Sequence, residues 1–273
     1  MRIARANREG MQELTGVHGG AGAILFNSLW DRADFETPFA FVHCAILLPG
    51  GGIGYHRHDD SEEIFITVDN ASQFTHNGRT ATVEGGATVP LRSGEIHAIY
   101  NHTDQETRWF NVHCAILDGN PRSTDLGDDR VDAGLESTDR LPVGRLDRTA
   151  LKYAPNAHGG KGEVGGRMIW QPEDFRSNFH CLVHCLLPPD TSFGYHRHDG
   201  VEECYIIIEG SGRMTVDDET QEVQQWDAIP SRLRGSHGLY NHTQEDLEVL
   251  VVAVCAEKGK FDSTDLGDDL SRR

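Results

Sequence analysis

The segment "GYHRHDDSEE" (residues 54–63) returns almost unchanged as "GYHRHDGVEE" (residues 194–203). A shift of 140 positions superimposes the two copies, and the same shift aligns other segments. These are "YNHT" at 100–103 and 240–243, "STDLGDD" at 123–129 and 263–269, and "HGG" at 18–20 and 158–160. Self-similarity at one offset over most of a chain indicates two copies of one unit. We therefore predict two domains of the same fold, at residues 1–130 and 141–273, joined by a linker at 131–140.

Each copy has the pattern of an all-β protein. Short runs rich in Val, Ile, Phe and Tyr, such as "EIFITVD" (63–69) and "CYIIIEG" (204–210), are separated by turns of Gly, Asp and Asn. This spacing is typical of a β-sandwich or a β-barrel. The chain lacks the alternation of strands and long helices that accompanies a parallel sheet. We expect short helices only near residues 1–12 and 141–152.

The charge of the chain argues against two classes of partner. The 273 residues carry a formal net charge of −18, which repels nucleic-acid phosphates and anionic lipid surfaces. We therefore expect neither nucleic acid nor a membrane as a partner. The sequence contains no run of 18 apolar residues, and its first segment lacks the apolar region of a signal peptide. A cytoplasmic protein is the resulting expectation.

The repeated segment carries side chains that bind metals. Two histidines separated by one residue point to the same face of an extended strand, and a carboxylate and a third histidine follow in each copy. These residues are His56, His58, Glu62 or Glu63, and His97 in the first copy, and His196, His198, Glu202 or Glu203, and His237 in the second. Three imidazoles and one carboxylate suit a divalent transition metal such as Fe, Mn, Zn, Ni or Cu. We predict up to two such ions per chain.

These motifs resemble those of the cupin superfamily. The stretch "HRHDGVEECYIIIEG" (196–210) has the spacing of its first motif, and "GEIHAIYN" (94–101) is similar to its second. The resemblance implies a bicupin, with two double-stranded β-helix (jelly-roll) barrels in one chain. It also selects Glu203, and by register Glu63, as the carboxylate ligands. The first copy departs from the motif at Asn70, which stands where a glycine is expected. Because cupins often pair, the resemblance adds a homodimer as an expectation.

Several reactions remain open to such a metal centre. Four protein ligands on a six-coordinate ion would leave two adjacent positions for a small-molecule substrate or for dioxygen. Fe or Mn could then support oxidation by dioxygen, as in a dioxygenase, whereas Zn, Ni or Mn could act as a Lewis acid in isomerisation, elimination or hydrolysis. We favour the oxygen-dependent oxidation of a small polar metabolite. A redox-neutral metalloenzyme and a non-catalytic binding protein are the alternatives.

One strand face of the first copy supplies further candidates for the active site. His43 on "FAFVHC" and Asn111 and His113 on "RWFNVHC" are predicted to face the cavity of the first barrel and to contact substrate. An outward or supporting role is the alternative. In the second copy, positions 251 and 253 are Val and Ala, and the repeated "VHC" identifies His184 as the counterpart of His43. We expect His180 to share the face of His184.

Two other repeated segments receive structural interpretations. The "STDLGDD" segments are rich in oxygen donors but lack the spacing of an EF-hand, so we expect them to serve in turns or in docking. His18 and His158, each followed by two glycines, are expected to lie in loops and to be poor candidates for metal ligands.

Overall fold

A computed structural model describes residues 1–116 and 122–273 and consists almost wholly of strands. The described part of the first copy contains β1 Ala4–Arg5, β2 Gln12–Thr15, β3 Ala23–Trp30, β4 Phe39–Leu47, β5 Gly52–His58, β6 Ser61–Thr67, β7 Ala71–His76, β8 Arg79–Glu84, β9 Ala87–Leu91, β10 Ile96–Tyr100, β11 Thr107–Ala115 and β12 Ser123–Asp125. The remaining strands are β13 Gly144–Arg145, β14 Lys152–Pro155, β15 Glu163–Trp170, β16 Phe179–Leu187, β17 Thr191–Arg197, β18 Val201–Glu209, β19 Ser211–Val216, β20 Glu219–Gln224, β21 Asp227–Ser231, β22 Ser236–Asn241, β23 Leu247–Cys255 and β24 Thr264–Asp268.

Helical structure in these residues is limited to single 3₁₀ turns. They are Arg8–Gly10, Val17–Gly19, Arg32–Asp34, Thr138–Arg140, Arg148–Ala150, Ala157–Gly159 and Pro172–Asp174. Two of them fall in the segments near residues 1–12 and 141–152 where short helices were expected. No helix among the described residues is long and apolar enough to cross a membrane.

The strands form two barrels, each made of one seven-stranded and one five-stranded sheet. The first barrel has the orders β13-β9-β6-β11-β4-β3-β2 and β12-β5-β10-β7-β8. The second has β1-β21-β18-β23-β16-β15-β14 and β20-β19-β22-β17-β24, which repeats the first strand for strand. This confirms the prediction of an all-β chain with tandem jelly-roll barrels from a duplication.

The two copies exchange short strands at their edges. β1 pairs with β21 of the second barrel, and β13 pairs with β9 of the first. The predicted linker also lies against the first barrel, since Leu135 forms a bridge to Thr80. The domain bounds at 130 and 141 stay a prediction, because strands on each side of them complete the sheet of the other copy.

Apolar side chains divide into an interior for each barrel and a seam between them. Phe74, Ile99 and Trp109 belong to the interior of the first barrel, and Met214 and Leu239 to that of the second. A third cluster joins both copies and includes Trp30, Phe39, Phe110, Phe179 and Leu250, all essentially inaccessible to solvent. Because this seam buries large side chains from both barrels, the hydrophobic effect holds them together as one body.

Two buried glutamates cross the seam in a symmetric manner. The Glu62 carboxylate accepts hydrogen bonds from the backbone N–H groups of Arg176 and Ser177, at 2.9 and 2.7 Å. In the second barrel, Glu202 accepts from the N–H groups of Glu36 and Thr37 and from the Thr37 hydroxyl, at 3.0, 2.8 and 2.6 Å. Both carboxylates are fully buried. Each barrel therefore satisfies backbone donors of the other with a buried carboxylate.

The position of His184 differs from the prediction. In the sheet register Asn111 pairs with His43, and the equivalent Val251 pairs with Val183, so Val183 is the counterpart of His43. The two strands align at the same offset of 140 as the "HRH" segments, since Phe39–Leu47 corresponds to Phe179–Leu187. The repeated "VHC" recurs at an offset of 141 and is therefore one residue out of register. A one-residue shift moves a strand side chain to the opposite face. His184 thus faces the seam, whereas His180 stacks on Phe261 near the second "HRH", because the strand register shifts between Phe179 and Cys181.

At the seam, His184 joins a buried charged cluster. Its Nε2 lies 2.6 Å from Glu248 Oε1, and Arg148 Nε donates to Glu248 Oε2 at 3.0 Å. Burial acts to raise the pKa of Glu248, but the bonds from His184 and Arg148 outweigh burial and lower that pKa below its ordinary value of 4.5. Glu248 is therefore a charged acceptor whose ionisation favours the folded state.

We predict that Glu202→Ala lowers the free energy of unfolding by about 3 kcal/mol or more, since buried hydrogen bonds to a charged group contribute roughly 1.5–3 kcal/mol each. Urea denaturation at neutral pH would measure the change. Thr37→Val, which removes the hydroxyl but keeps the backbone donors, is the matched control and should cost roughly 1.5–3 kcal/mol, less than Glu202→Ala. Equal effects of the two substitutions would contradict the interpretation of Glu202 as a bridge across the seam.

We also predict a pH-dependent effect of Glu248→Gln. Because the pKa of Glu248 is lowered in the folded state, its stabilisation is present above 4.5 and is lost as pH falls through the folded pKa. The variant should be roughly 1.5–3 kcal/mol less stable than the parent at pH 7, with the difference shrinking towards pH 4. Denaturation at both pH values checks this, with Glu209→Gln on the exposed side of Arg148 as control. A pH-independent difference would contradict it.

Candidate metal centres

The first cluster brings together residues from both sheets of the first barrel. His56 and His58 share one face of β5, and His97 on the neighbouring β10 lies directly opposite His56 in the register. Glu63 comes from β6 in the facing sheet. One ligand atom from each of these four side chains lies within 4.8 Å of the others, and all four are buried. The cluster can therefore hold a metal ion.

The second cluster has the same construction. His196 lies on β17 and His198 directly follows this strand, His237 on β22 lies opposite His196, and Glu203 comes from β18. Their ligand atoms also lie within 4.8 Å of one another and all four residues are buried. The structure thus brings together the eight residues predicted as ligands, four in each barrel. The neighbouring Glu62 and Glu202 point away to the seam, as alternation along a strand requires.

Backbone carbonyls orient the histidine rings of both clusters. Nδ1 of His56 lies 2.8 Å from the Gly54 carbonyl oxygen, and Nδ1 of His58 lies 3.0 Å from that of Arg122. His196 makes the equivalent contact with Gly194 at 2.8 Å. A carbonyl oxygen only accepts, so these nitrogens carry a proton, and in the neutral ring Nε2 then keeps its lone pair towards the cluster. This is the tautomer that a metal ligand needs.

The electrostatics of the clusters fit a cation. Burial lowers the pKa of His56 and of His196 to about 2, which keeps both imidazoles neutral. Burial acts to raise the pKa of Glu63, but the nearby His113 and His58 outweigh it and hold that pKa well below the ordinary value. Nε2 of His97 and of His198 is buried and makes no hydrogen bond to the described residues. Burial acts to lower the pKa of His58, but the nearby Glu63 outweighs burial and raises that pKa, so this ring would release a proton on binding an ion. Neutral rings at His56 and His196, an ionised carboxylate and unpartnered nitrogens are what a divalent ion would satisfy.

A cavity of about 540 Å³ opens beside the first cluster. His56, His58 and Glu63 form part of its wall. Apolar and aromatic side chains cover most of the remainder, among them Phe26, Phe41, Phe65 and Trp109. Half-buried Arg32 also lines the cavity and donates from Nη1 to the Phe35 carbonyl at 2.8 Å. The volume is in the range of small-molecule sites.

The three residues predicted as catalytic lie on one wall of this cavity. Asn111 Nδ2 donates to Glu63 Oε2 at 3.2 Å, and His113 Nδ1 lies 3.3 Å from Glu63 Oε1. His43 stacks on Phe41, with ring centroids 3.7 Å apart. Burial lowers the pKa of His43 to about 4 and that of His113 to about 3. Near neutral pH these side chains therefore offer uncharged donors and acceptors beside the carboxylate.

The second barrel keeps the cluster but not this polar wall. At the positions of His43, Asn111 and His113 it has Val183, Val251 and Ala253, which belong to its apolar interior. Tyr205 replaces Phe65 and its ring centroid lies 5.4 Å from that of His237. The two barrels thus combine one ligand set with different surroundings.

His18 and His158 lie closer to the clusters than the sequence interpretation allowed. The His18 ring stacks on His56 with centroids 3.9 Å apart and planes inclined by 9°. His158 stacks on His196 in the same way, at 3.8 Å and 11°. Neither belongs to a ligand cluster found among the described residues. Their recurrence as "HGG" at the same offset as "HRH" was the available signal that they belong to the same site.

The "STDLGDD" segments add an edge strand to the ligand-bearing strand of their own barrel. β12 pairs with β5, and β24 pairs with β17. Asp125 thereby lies opposite His56, and Asp265 opposite His196. These pairings give the "STDLGDD" segments a structural role, as expected. Each segment pairs with a strand of its own copy and not with the other copy.

Comparisons with known proteins agree with this architecture. The chain is 30% identical over 99 residues to an oxalate-binding protein of Thermotoga maritima, an alignment that covers 36% of this chain and 82% of the relative. The fold of the present chain is similar to that of an oxalate decarboxylase of Bacillus subtilis, with a TM-score of 0.63 and 16% identity. The alignment covers 96% of this chain and 79% of the decarboxylase. Salicylate 1,2-dioxygenase of Pseudoaminobacter salicylatoxidans gives a TM-score of 0.66 at 15% identity, with 86% and 74% covered. The cupin-domain family model matches residues 44–113 and again 183–253, which together make up just over half of the chain. The chain therefore belongs to the cupin family and contains two cupin domains.

Proposed function

We propose that this chain is a metal-dependent enzyme whose catalytic centre is the cluster of the first barrel. The observation that carries the proposal is the cavity beside this cluster, with His43, Asn111 and His113 on the wall next to Glu63. The equivalent wall of the second barrel offers no hydrogen-bonding side chain at these three positions. A site for chemistry needs placed polar groups beside the metal, and the first barrel has them.

His56, His58, Glu63 and His97 would hold the metal, and a transition metal bound there would supply a redox centre or a Lewis acid. The chain's own residues would position the substrate. The Asn111 amide and the His113 ring hold the Glu63 carboxylate from two sides. Asn111 is 6% exposed and is the more accessible of the two to a bound molecule. Phe41 and Trp109 exclude water from the same space.

The cavity narrows the substrate class. Its aromatic walls suit an apolar or aromatic body, and the cluster suits a pair of oxygen donors at one end. Arg32 supplies a positive charge for a carboxylate. The relative from Thermotoga is an oxalate-binding protein, and oxalate also carries carboxylate oxygens. We propose an organic acid with oxygen donors next to an apolar body.

We propose oxygen-dependent oxidation as the reaction. His43 and His113 are neutral near pH 7, with pKa values of about 4 and about 3, far from the pH at which a general acid or base is most effective. A reaction that relies on the metal for electron transfer needs less proton transfer from the protein than isomerisation or hydrolysis does. The apolar side chains that line the rest of the cavity keep water out, and such surroundings also suit dioxygen.

Elemental analysis followed by oxygen uptake tests this reaction. We expect close to two atoms of Fe, Mn or Cu per chain, and oxygen consumption when hydroxylated aromatic acids or small dicarboxylic acids are added. Zn or Ni with turnover that needs no oxygen would replace the proposal with the redox-neutral enzyme. A chain that binds no metal, even after soaking, would replace it with the binding protein.

The ligand assignment predicts a separate loss of each ion. His97→Ala should remove about one metal atom per chain, because a three-ligand remnant binds far more weakly, and His237→Ala should remove the other. Elemental analysis of the purified variants gives the counts. His102→Ala, on an exposed histidine outside both clusters, is the matched control. Full occupancy in His97→Ala would contradict the assignment.

The polar wall predicts that chemistry can be lost while the metal stays. The double variant Asn111→Val and His113→Ala gives the first barrel the residues that the second has at these positions. We expect kcat/KM to fall at least about 100-fold, as for removal of groups that position or stabilise a reacting substrate, with two metal atoms per chain retained. Val251→Ala in the second barrel controls for truncation of a buried side chain. Activity within a few-fold of the parent would contradict the role of this wall.

A further inference from the structure

One histidine in each barrel stacks on the first ligand of the cluster without being a ligand. His18 covers the face of His56, and His158 covers the face of His196, in nearly parallel pairs. The geometry recurs although the walls of the two barrels have diverged. A feature that both barrels share belongs with the shared ligand set rather than with the chemistry of one cavity.

Both stacking histidines have an unusual backbone. His18 has φ 52° and ψ 33°, and His158 has φ 53° and ψ 38°, in the left-handed region that non-glycine residues seldom adopt. The two backbones approach closely at this point, because a Cβ atom at Gly54 or Gly194 would collide with the carbonyl oxygen of His18 or His158. Strained residues of this kind persist where the surrounding structure holds them, and they concentrate at functional sites.

An aspartate from the repeated "STD" contacts Nδ1 of each stacking ring. His18 Nδ1 lies 2.6 Å from Asp125 Oδ1, so this nitrogen donates to the carboxylate. In the second barrel His158 Nδ1 lies 3.4 Å from Asp265 Oδ1 and 3.3 Å from the Ser263 hydroxyl. Since Asp125 and Asp265 lie opposite His56 and His196 in the sheet, one added strand supports both members of the stack.

We propose that His18 and His158 are positioning residues that set the ring plane, and so the metal affinity, of His56 and His196. The stack prevents rotation of the ligand ring, while the Gly54 and Gly194 carbonyls hold its Nδ1. An Asp-bonded imidazole is rich in electrons, and a metal-bound imidazole is poor in them, so the stack strengthens when metal binds. The inference rests on the proposed metal centres but not on any reaction.

Metal affinity can be measured for one centre at a time. In a His237→Ala background, which leaves the first centre, Co²⁺ affinity is measured by competition with a chelator and Co²⁺ geometry by visible absorption. His18→Asn accepts the left-handed backbone but cannot stack, whereas His18→Phe keeps a ring but loses the bond to Asp125. Asp125→Asn keeps both rings. His158→Asn in a His97→Ala background is the mirror experiment.

We expect His18→Asn to weaken Co²⁺ binding about 10- to 100-fold and to shift the visible bands, as for loss of other groups that orient a ligand. His18→Phe and Asp125→Asn should each lose less. Affinity within twofold of the parent for His18→Asn, with unchanged bands, would overturn the proposal. If that variant does not fold, judged by thermal unfolding without metal, unchanged affinity and bands in both His18→Phe and Asp125→Asn would overturn it.

The failure of this inference is distinguishable from failure of the proposed function. A parent chain that binds Co²⁺ tightly and loses affinity in His18→Asn, but shows no turnover with any metal, would refute the enzyme and support the positioning role. Turnover in the parent chain, together with a Co²⁺ affinity that does not change in His18→Asn, would support the enzyme and refute the positioning role. The second barrel provides an independent test. Because the contact from His158 to Asp265 is longer than that from His18 to Asp125, Asp265→Asn should lower Co²⁺ affinity less than Asp125→Asn does.

Discussion

Opposite orientation of two adjacent glutamates on one strand links each cluster to the seam. On β6, Glu63 points into the barrel towards the histidines, and Glu62 points out to the N–H groups of Arg176 and Ser177. Alternation along a strand makes this division obligatory, and it recurs at Glu202 and Glu203. A displacement of the strand at the seam would therefore also displace a ligand. Each cluster depends on the other barrel for the placement of its carboxylate.

Much of the fold followed from residues that physical rules make informative. The "HRH" spacing placed two rings on one face, the repeat offset predicted two equal barrels, and the resemblance at Glu203 and Gly210 selected the inner glutamate. Asn70 stands where the motif has a glycine, and the turn is preserved. Its φ of 49° is left-handed like that of Gly210, and asparagine tolerates this region. These features depend on local geometry, which a sequence records.

The features that the sequence did not predict depend on register and on distant contacts. The repeated "VHC" suggested that His184 was equivalent to His43, but it recurs at an offset of 141 while the strands align at 140, so His184 lies on the opposite face. The shared offset of "HGG" and "HRH" linked His18 and His158 to the repeat but did not identify the rings on which they stack, because the contact forms only when an N-terminal turn folds over β5. The exchange of β1 and β13 between barrels was equally hidden, since two-residue strands carry almost no pattern.

The retention of both ligand sets has a physical explanation that does not require two active barrels. Without an ion, each cluster buries an ionised carboxylate and at least one imidazole nitrogen that lacks a hydrogen-bond partner among the described residues, and each such nitrogen costs roughly 1–3 kcal/mol. Binding a metal satisfies these groups and stabilises the fold that presents them. Loss of a single ligand in the second barrel would leave a buried, poorly satisfied charge beside the seam. Glu202 would transmit the resulting displacement to Glu36 and Thr37 of the first barrel. The second cluster can thus contribute to the stability of its neighbour although its own walls are apolar.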